Sequence, residues 1–249
     1  MSLIFNIIDD NLSVTEIVKN DYRTADVFRK YRINYCCGGK WPLKTIAELN
    51  GLNLENIKAE LAEASKVVSI SNTLNFQEWD MDFMLDYIIN VHHKFLYSFL
   101  PDLGLLLEQF VLDHGKKFHY LGEIRANFLR LQQEILPHLA QEENVIFPYI
   151  RQIAHAYKDG ESYAGLLVRT LRKPIDTIMH YEHETVESIL TRMRVLTDSY
   201  ALPSNYCASH KVVFGKLQEL DNDLVQHLYL ENSILFPKAI AMETELLKK

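Results

Sequence analysis

Two stretches of this sequence repeat one another in residue types that bind metal. His138-Leu-Ala-Gln-Glu142 runs on to Phe147-Pro148, and His227-Leu-Tyr-Leu-Glu231 runs on to Phe236-Pro237. The two copies lie 89 residues apart, and an offset of 90 relates two further histidines, His93 and His183. On an α-helix, residues i and i+4 share a face, so each His-x-x-x-Glu sets an imidazole beside a carboxylate. A lone pair of this kind is ordinary surface chemistry, but chance pairs need not recur in phase. His119/Glu123, His180/Glu184 and His183/Glu187 have the same spacing without the Phe-Pro tail and are read as structural or as partners behind the ligands.

If four helices face one axis, His93, His138, His183 and His227 converge with Glu142 and Glu231, as donors do in metal-holding bundle cores. Six donors would crowd a single ion. Two ions sharing carboxylate bridges is the more natural count, with room for a solvent-derived bridge and an exogenous ligand. Imidazole with carboxylate suits Fe, Mn or Zn rather than Mg or Ca. The absence of Cys from the set argues against structural zinc. His92 competes with His93, and His180 with His183; the repeat offsets favour His93 and His183. Glu143 and Glu184 are candidates to accept the second ring N–H of nearby ligands. Pro148 and Pro237, six residues past each Glu, should bend their helices.

The elements that must position these residues read as helices. Nine Gly and seven Pro are few for 249 residues, which favours long helices over many short strands. Four amphipathic segments, roughly 78–112, 116–157, 163–200 and 205–247, are joined by breaks at 113–115, 158–160 and 201–204. Short joins between long helices give an antiparallel four-helix bundle. Upstream, Ser13 to Glu16 fits a capping box, Asp21 or Thr24 could cap a second helix, Gly51 suits a left-handed C-cap, and Asn53 could cap 54–64. The predicted organisation is a small helical domain over 1–65, a polar linker over 66–77 and the bundle over 78–249. So small a first domain would be marginal alone.

A net charge of −7 argues against a nucleic-acid partner. No run of eighteen apolar residues and no leader pattern at the start argue against a membrane partner and make a reducing cytoplasm the default. Three Cys make no secreted disulfide framework. Cys36 and Cys37 lie between a basic helix (Arg23, Arg29, Lys30, Arg32) and Gly38-Gly39-Lys40, and positive neighbours make thiols more reactive. Both are candidate redox thiols, while Cys207 is read as structural.

Tyr35-Cys36-Cys37-Gly38-Gly39 on a short helical module, followed by a bundle with the repeated His-x-x-x-Glu…Phe-Pro, resembles the RIC proteins (repair of iron centres, the ScdA/YtfE type). The resemblance covers nearly the whole chain and implies an all-α, hemerythrin-like fold. It also implies a non-haem di-iron centre, two iron ions with an oxo or hydroxo bridge. The ligands it implies are His93, His138, His183 and His227, with Glu142 and Glu231 bridging. The implied role is restoring iron–sulfur clusters damaged by oxidative or nitrosative stress, by iron supply or nitric oxide removal. Iron–sulfur proteins would be the clients and nitric oxide or oxygen the small ligands. One alternative is a di-iron oxidoreductase acting on nitric oxide or peroxide. Another is a hemerythrin-type oxygen carrier or sensor, a pattern with five His rather than four. A homodimer joined through the N-terminal module is a reasonable expectation for a unit with little core.

Overall fold

The computed structural model describes residues 8–36, 39–66, 74–171 and 175–248, without the side chains of 175–181. Cys37 and the side chain of His180 therefore lie outside the described residues. Two compact units are formed, Met1–Asn72 with Tyr200–Leu217, and Thr73–Ser199 with Gln218–Lys249. Among the described residues the regular structure is helical, without a strand.

In the first unit, α1 (Val14–Asn20) opens on the predicted capping box, with Ser13 accepting from the Glu16 backbone while Glu16 reaches back. Asp21 caps a short 3₁₀ turn, Tyr22–Thr24, that leads into α2 (Ala25–Lys30). Helix α3 (Leu43–Leu49) ends before Gly51, whose φ of 61° is the left-handed conformation that glycine adopts without a Cβ clash. Asn53 caps α4 (Leu54–Ala64) through the Asn56 N–H. Val14, Val18, Phe28, Leu43, Ile57 and Leu61 are buried.

The sequence boundaries leave one piece of this unit out. Residues Tyr200–Leu217 belong to it, and Val212, Val213, Phe214 and Leu217 in that segment are buried. Gly215 lets the Tyr22 ring close in, since a Cβ there would sit 2.7 Å from ring carbons. Beside it the Lys216 ammonium meets the Asp26 carboxylate at 2.7 Å. A module too small for its own core thus takes apolar surface from a distant stretch of chain.

The second unit is the bundle. Helix α5 (Met81–Tyr87) continues through Ile88–His93 into α6 (Lys94–His114), and α7 (Leu121–Gln141) through Glu142–Ile146 into α8 (Phe147–Lys158). A short α9 (Ala164–Leu171) precedes α10 (Ile175–Thr197). Finally α11 (Ala208–Leu230), which enters this unit only from Gln218, passes through Glu231–Leu235 into α12 (Phe236–Leu246). The helical residues 164–171 and 175–197 fall within the third predicted segment, and the other three match their expected spans within a few residues. Met81–His114 is long and apolar enough by composition to cross a membrane, but Met84, Leu85, Ile88, Leu96, Leu100, Leu103 and Leu107 along it are buried. Met84, Leu85 and Ile88 join Phe147, Ile150, Leu235 and Phe236 in one apolar cluster.

Candidate metal centre

Three of the long helices widen into π-helical turns where the predicted ligands lie: Ile88–His93, Glu142–Ile146 and Glu231–Leu235. Two of these follow from the repeat. Pro148 and Pro237 have no N–H to give, and a proline ring crowds the carbonyl four residues earlier. The helix opens instead, and the amides of Phe147 and Phe236 reach back five residues to the carbonyls of Glu142 and Glu231. The expected proline bend is thus a π turn that begins on the glutamate. Both glutamates face inward and are wholly buried.

All six predicted side chains meet in the bundle core, each no more than 2% exposed. They form two overlapping groups of four, His93, His227, Glu142 and Glu231, and His138, His183, Glu142 and Glu231. Within each group the donor atoms lie within 4.8 Å of one another. His93 Nε2 is 3.2 Å from His227 Nε2, and His138 Nε2 is 3.1 Å from His183 Nε2. Each carboxylate divides between the groups. Glu142 presents Oε1 to His138 at 3.2 Å and Oε2 to His93 at 3.4 Å. Glu231 presents Oε1 to His227 at 2.9 Å and Oε2 to His183 at 3.4 Å. Each carboxylate thus lies between the two histidine pairs.

Polar contacts behind the rings orient them. His93 Nδ1 pairs with Glu143 at 2.8 Å, His138 Nδ1 with Glu182 at 2.6 Å, and His183 Nδ1 with Asn232 at 2.8 Å. With Nδ1 occupied in this way, Nε2 is the atom left to face the centre. Glu143 has the role expected of it. Glu184 does not: it is exposed, and Glu182 takes the place beside His138. The phenylalanines of the repeat lie against ligands from neighbouring helices, Phe147 on His93 at 5.5 Å and Phe236 on His183 at 6.0 Å between ring centroids. His92 stays outside the cluster, paired with Asp223 at 2.9 Å and stacked on His227 at 5.8 Å. Glu123 of the unrepeated pairs is bound to Arg192.

Without a cation the charges conflict. Burial, then the nearby Glu142 carboxylate, push the Glu231 carboxyl up to about 8. Burial works against ionised Glu142 too, yet His138 and then His93 hold it well below the usual carboxylate range. His138 resists its own burial through Glu142 and Glu182 and is carried up to about 10. At His227 burial outweighs the pull of the Glu142 carboxylate and brings it down to about 3. Burial likewise lowers His183. Both Glu142 oxygens and Glu231 Oε2 are buried without a hydrogen-bond donor. Buried anionic oxygen without a donor is costly, and a cation between the histidine pairs would satisfy it.

Near the N-terminus, three of the basic residues flanking the vicinal cysteines are themselves paired, Arg23 with Asp21, Arg29 with Asp26 and Lys30 with Glu60. Their charge is therefore partly compensated before it reaches Cys36. Cys36 is partly exposed.

An inward histidine and glutamate set on four helices defines a class of cation-binding bundle, and residues 84–239 match the family described as "Hemerythrin HHE cation binding domain". Residues 10–65 match a second family, described as "Domain of Unknown function (DUF542)". The chain is 30% identical to the iron-sulfur cluster repair protein YtfE of Citrobacter koseri, covering 89% of this chain and 93% of that one. It is 28% identical to the YtfE protein of Edwardsiella ictaluri, covering 88% and 91%. A probable iron-sulfur cluster repair protein of Haemophilus influenzae is 28% identical, covering 86% and 90%. The chain belongs to this hemerythrin-like family of iron-sulfur cluster repair proteins.

Proposed function

We propose that this protein holds two non-haem iron ions in the bundle and uses them in repairing damaged iron–sulfur clusters. One ion would be held by His93 and His227, the other by His138 and His183, with Glu142 and Glu231 bridging. The observation that carries the reading is the division of each buried carboxylate between two histidine pairs. The donor set is right for iron: imidazole and carboxylate, with no thiolate among the six. When bound, such ions supply redox chemistry and an open position for a small ligand such as nitric oxide or oxygen. The chain's own residues do the rest. Glu143, Glu182 and Asn232 orient three imidazoles, while Phe147 and Phe236 cover two ligand rings from one side.

The clients are read as iron–sulfur proteins of the cytoplasm, served by iron supply or by removal of nitric oxide, with Cys36 and Cys37 as redox thiols that engage them. A set of four imidazoles rather than five supports repair over an oxygen carrier. The test is transfer of iron from the loaded protein to an apo ferredoxin-type client, followed by recovery of the client's cluster absorption. Recovery with the wild type and failure with Glu231→Ala supports the reading. Equal recovery with both overturns it.

A further inference from the structure

Cys207 has no place in the metal centre, and its spacing alone gives it no chemistry. In the structure its thiol lies beside that of Cys36, with the two Sγ atoms within 4.8 Å and a hydrogen bond between the side chains. Cys36 lies in the loop after α2, and Cys207 immediately precedes α11. Both belong to the compact unit made by Met1–Asn72 and Tyr200–Leu217. Both are partly exposed, so a small reagent can reach the pair. The two residues differ in what surrounds them. The hydrogen bond to Cys36, and then burial, hold the Cys207 thiol well above the ordinary range. Its Sγ also lies 3.4 Å from His210 Nδ1. A thiol that keeps its proton is a poor nucleophile, so the first attack falls to Cys36 rather than to Cys207.

We propose that Cys36 and Cys207 form a reversible disulfide, with Cys36 as the attacking thiol and Cys207 as the resolving one. The oxidant is a low-molecular-weight disulfide such as glutathione disulfide. The Cys36 thiolate attacks one sulfur of that disulfide; a bond forms to Cys36, the original S–S bond breaks, and one glutathione thiolate leaves. Cys207 then attacks the Cys36 sulfur of the mixed disulfide. The Cys36–Cys207 bond forms, and the second glutathione departs with the proton Cys207 gave up. In sum the protein loses two hydrogens and one glutathione disulfide becomes two thiols. The product ties Tyr200–Leu217 covalently to the N-terminal module, closing a long loop of chain. It also assigns Cys36 a different partner from its neighbour Cys37, with which a disulfide would need a strained ring. This inference does not rest on the metal centre.

The test uses the full-length protein incubated with glutathione disulfide, then alkylated and digested with trypsin. The expected result is loss of two of the three thiols, with the peptide 33–40 linked to the peptide 195–211. Because 33–40 contains both Cys36 and Cys37, the Cys37→Ser variant is run alongside and should keep the link. Cys207→Ser should lose it and leave glutathione on Cys36. The proposal is overturned if no linked peptide forms, if the link vanishes in Cys37→Ser, or if the bond joins Cys36 to Cys37.

Discussion

His93 Nε2 lies 3.2 Å from His227 Nε2, although the two residues are 134 positions apart and belong to opposite halves of the duplicated sequence. His138 and His183 form the other such pair. Each half of the duplication therefore gives one histidine to each pair and one glutamate that lies between both. Neither half holds a complete set alone.

This crossing gives the two kinds of ligand different consequences. Replacing Glu231 removes an oxygen from both positions, whereas replacing His227 strips only the one it shares with His93. Glu231→Ala should drop iron from about two per chain to nearly none, and His227→Ala to about one. Metal analysis of both variants checks this, with circular dichroism showing that helical content is kept.

The groups behind the rings separate orientation from bulk electrostatics. Glu182→Ala removes the carboxylate that meets His138 Nδ1 at 2.6 Å. Metal affinity should fall about 10–100-fold, the usual cost of losing such a partner. Glu184→Ala, two residues away on the exposed side of the same helix, should change it by less than about twofold. Competition with a coloured chelator measures both.

Stability of the metal-free protein should decline on the alkaline side. His138 is raised from 6.5 to about 10 and Glu231 from 4.5 to about 8. Both hold protons more tightly folded than unfolded. Their contribution is complete below the unfolded value and is lost as pH rises through the folded one. His227, lowered from 6.5 to about 3, acts in the opposite sense, and its contribution is lost as pH falls through that interval. Thermal melts of the metal-free protein should thus show a falling midpoint above neutral pH. The loaded protein, in which metal takes the place of those protons, should not show that fall.

The same groups predict proton release on loading. At neutral pH the metal-free cluster retains protons on His138 and Glu231, and both must leave for those atoms to bind metal. Loading should release about two protons per chain from these residues, with a further contribution from His93, which neighbouring glutamates also raise against its burial. Calorimetric titration in buffers of different ionisation enthalpy counts them.

Much of the centre was legible because a duplicated motif is informative where a single one is not. The in-phase recurrence of His138/Glu142 and His227/Glu231, with the offset joining His93 to His183, named all six side chains that meet. The same offset separated His93 from His92, which the structure directs to Asp223. Spacing did not reveal which histidines pair, because that depends on how the helices are arranged around the axis. Nor did it reveal Glu182, whose distance from His138 is fixed by packing between two helices. The proline effect was read as a bend, but the backbone resolves the missing N–H by widening into a π turn. The domain boundary missed Tyr200–Leu217 because helical periodicity is the same whichever unit a segment packs into.

The central claim is that two metal ions lie between these histidine pairs, and the most direct measurement is metal content with an optical spectrum of the intact purified protein. The account predicts about two irons per chain with absorption from an oxygen bridge. A single zinc, or iron that remains at full occupancy in Glu231→Ala, would contradict it.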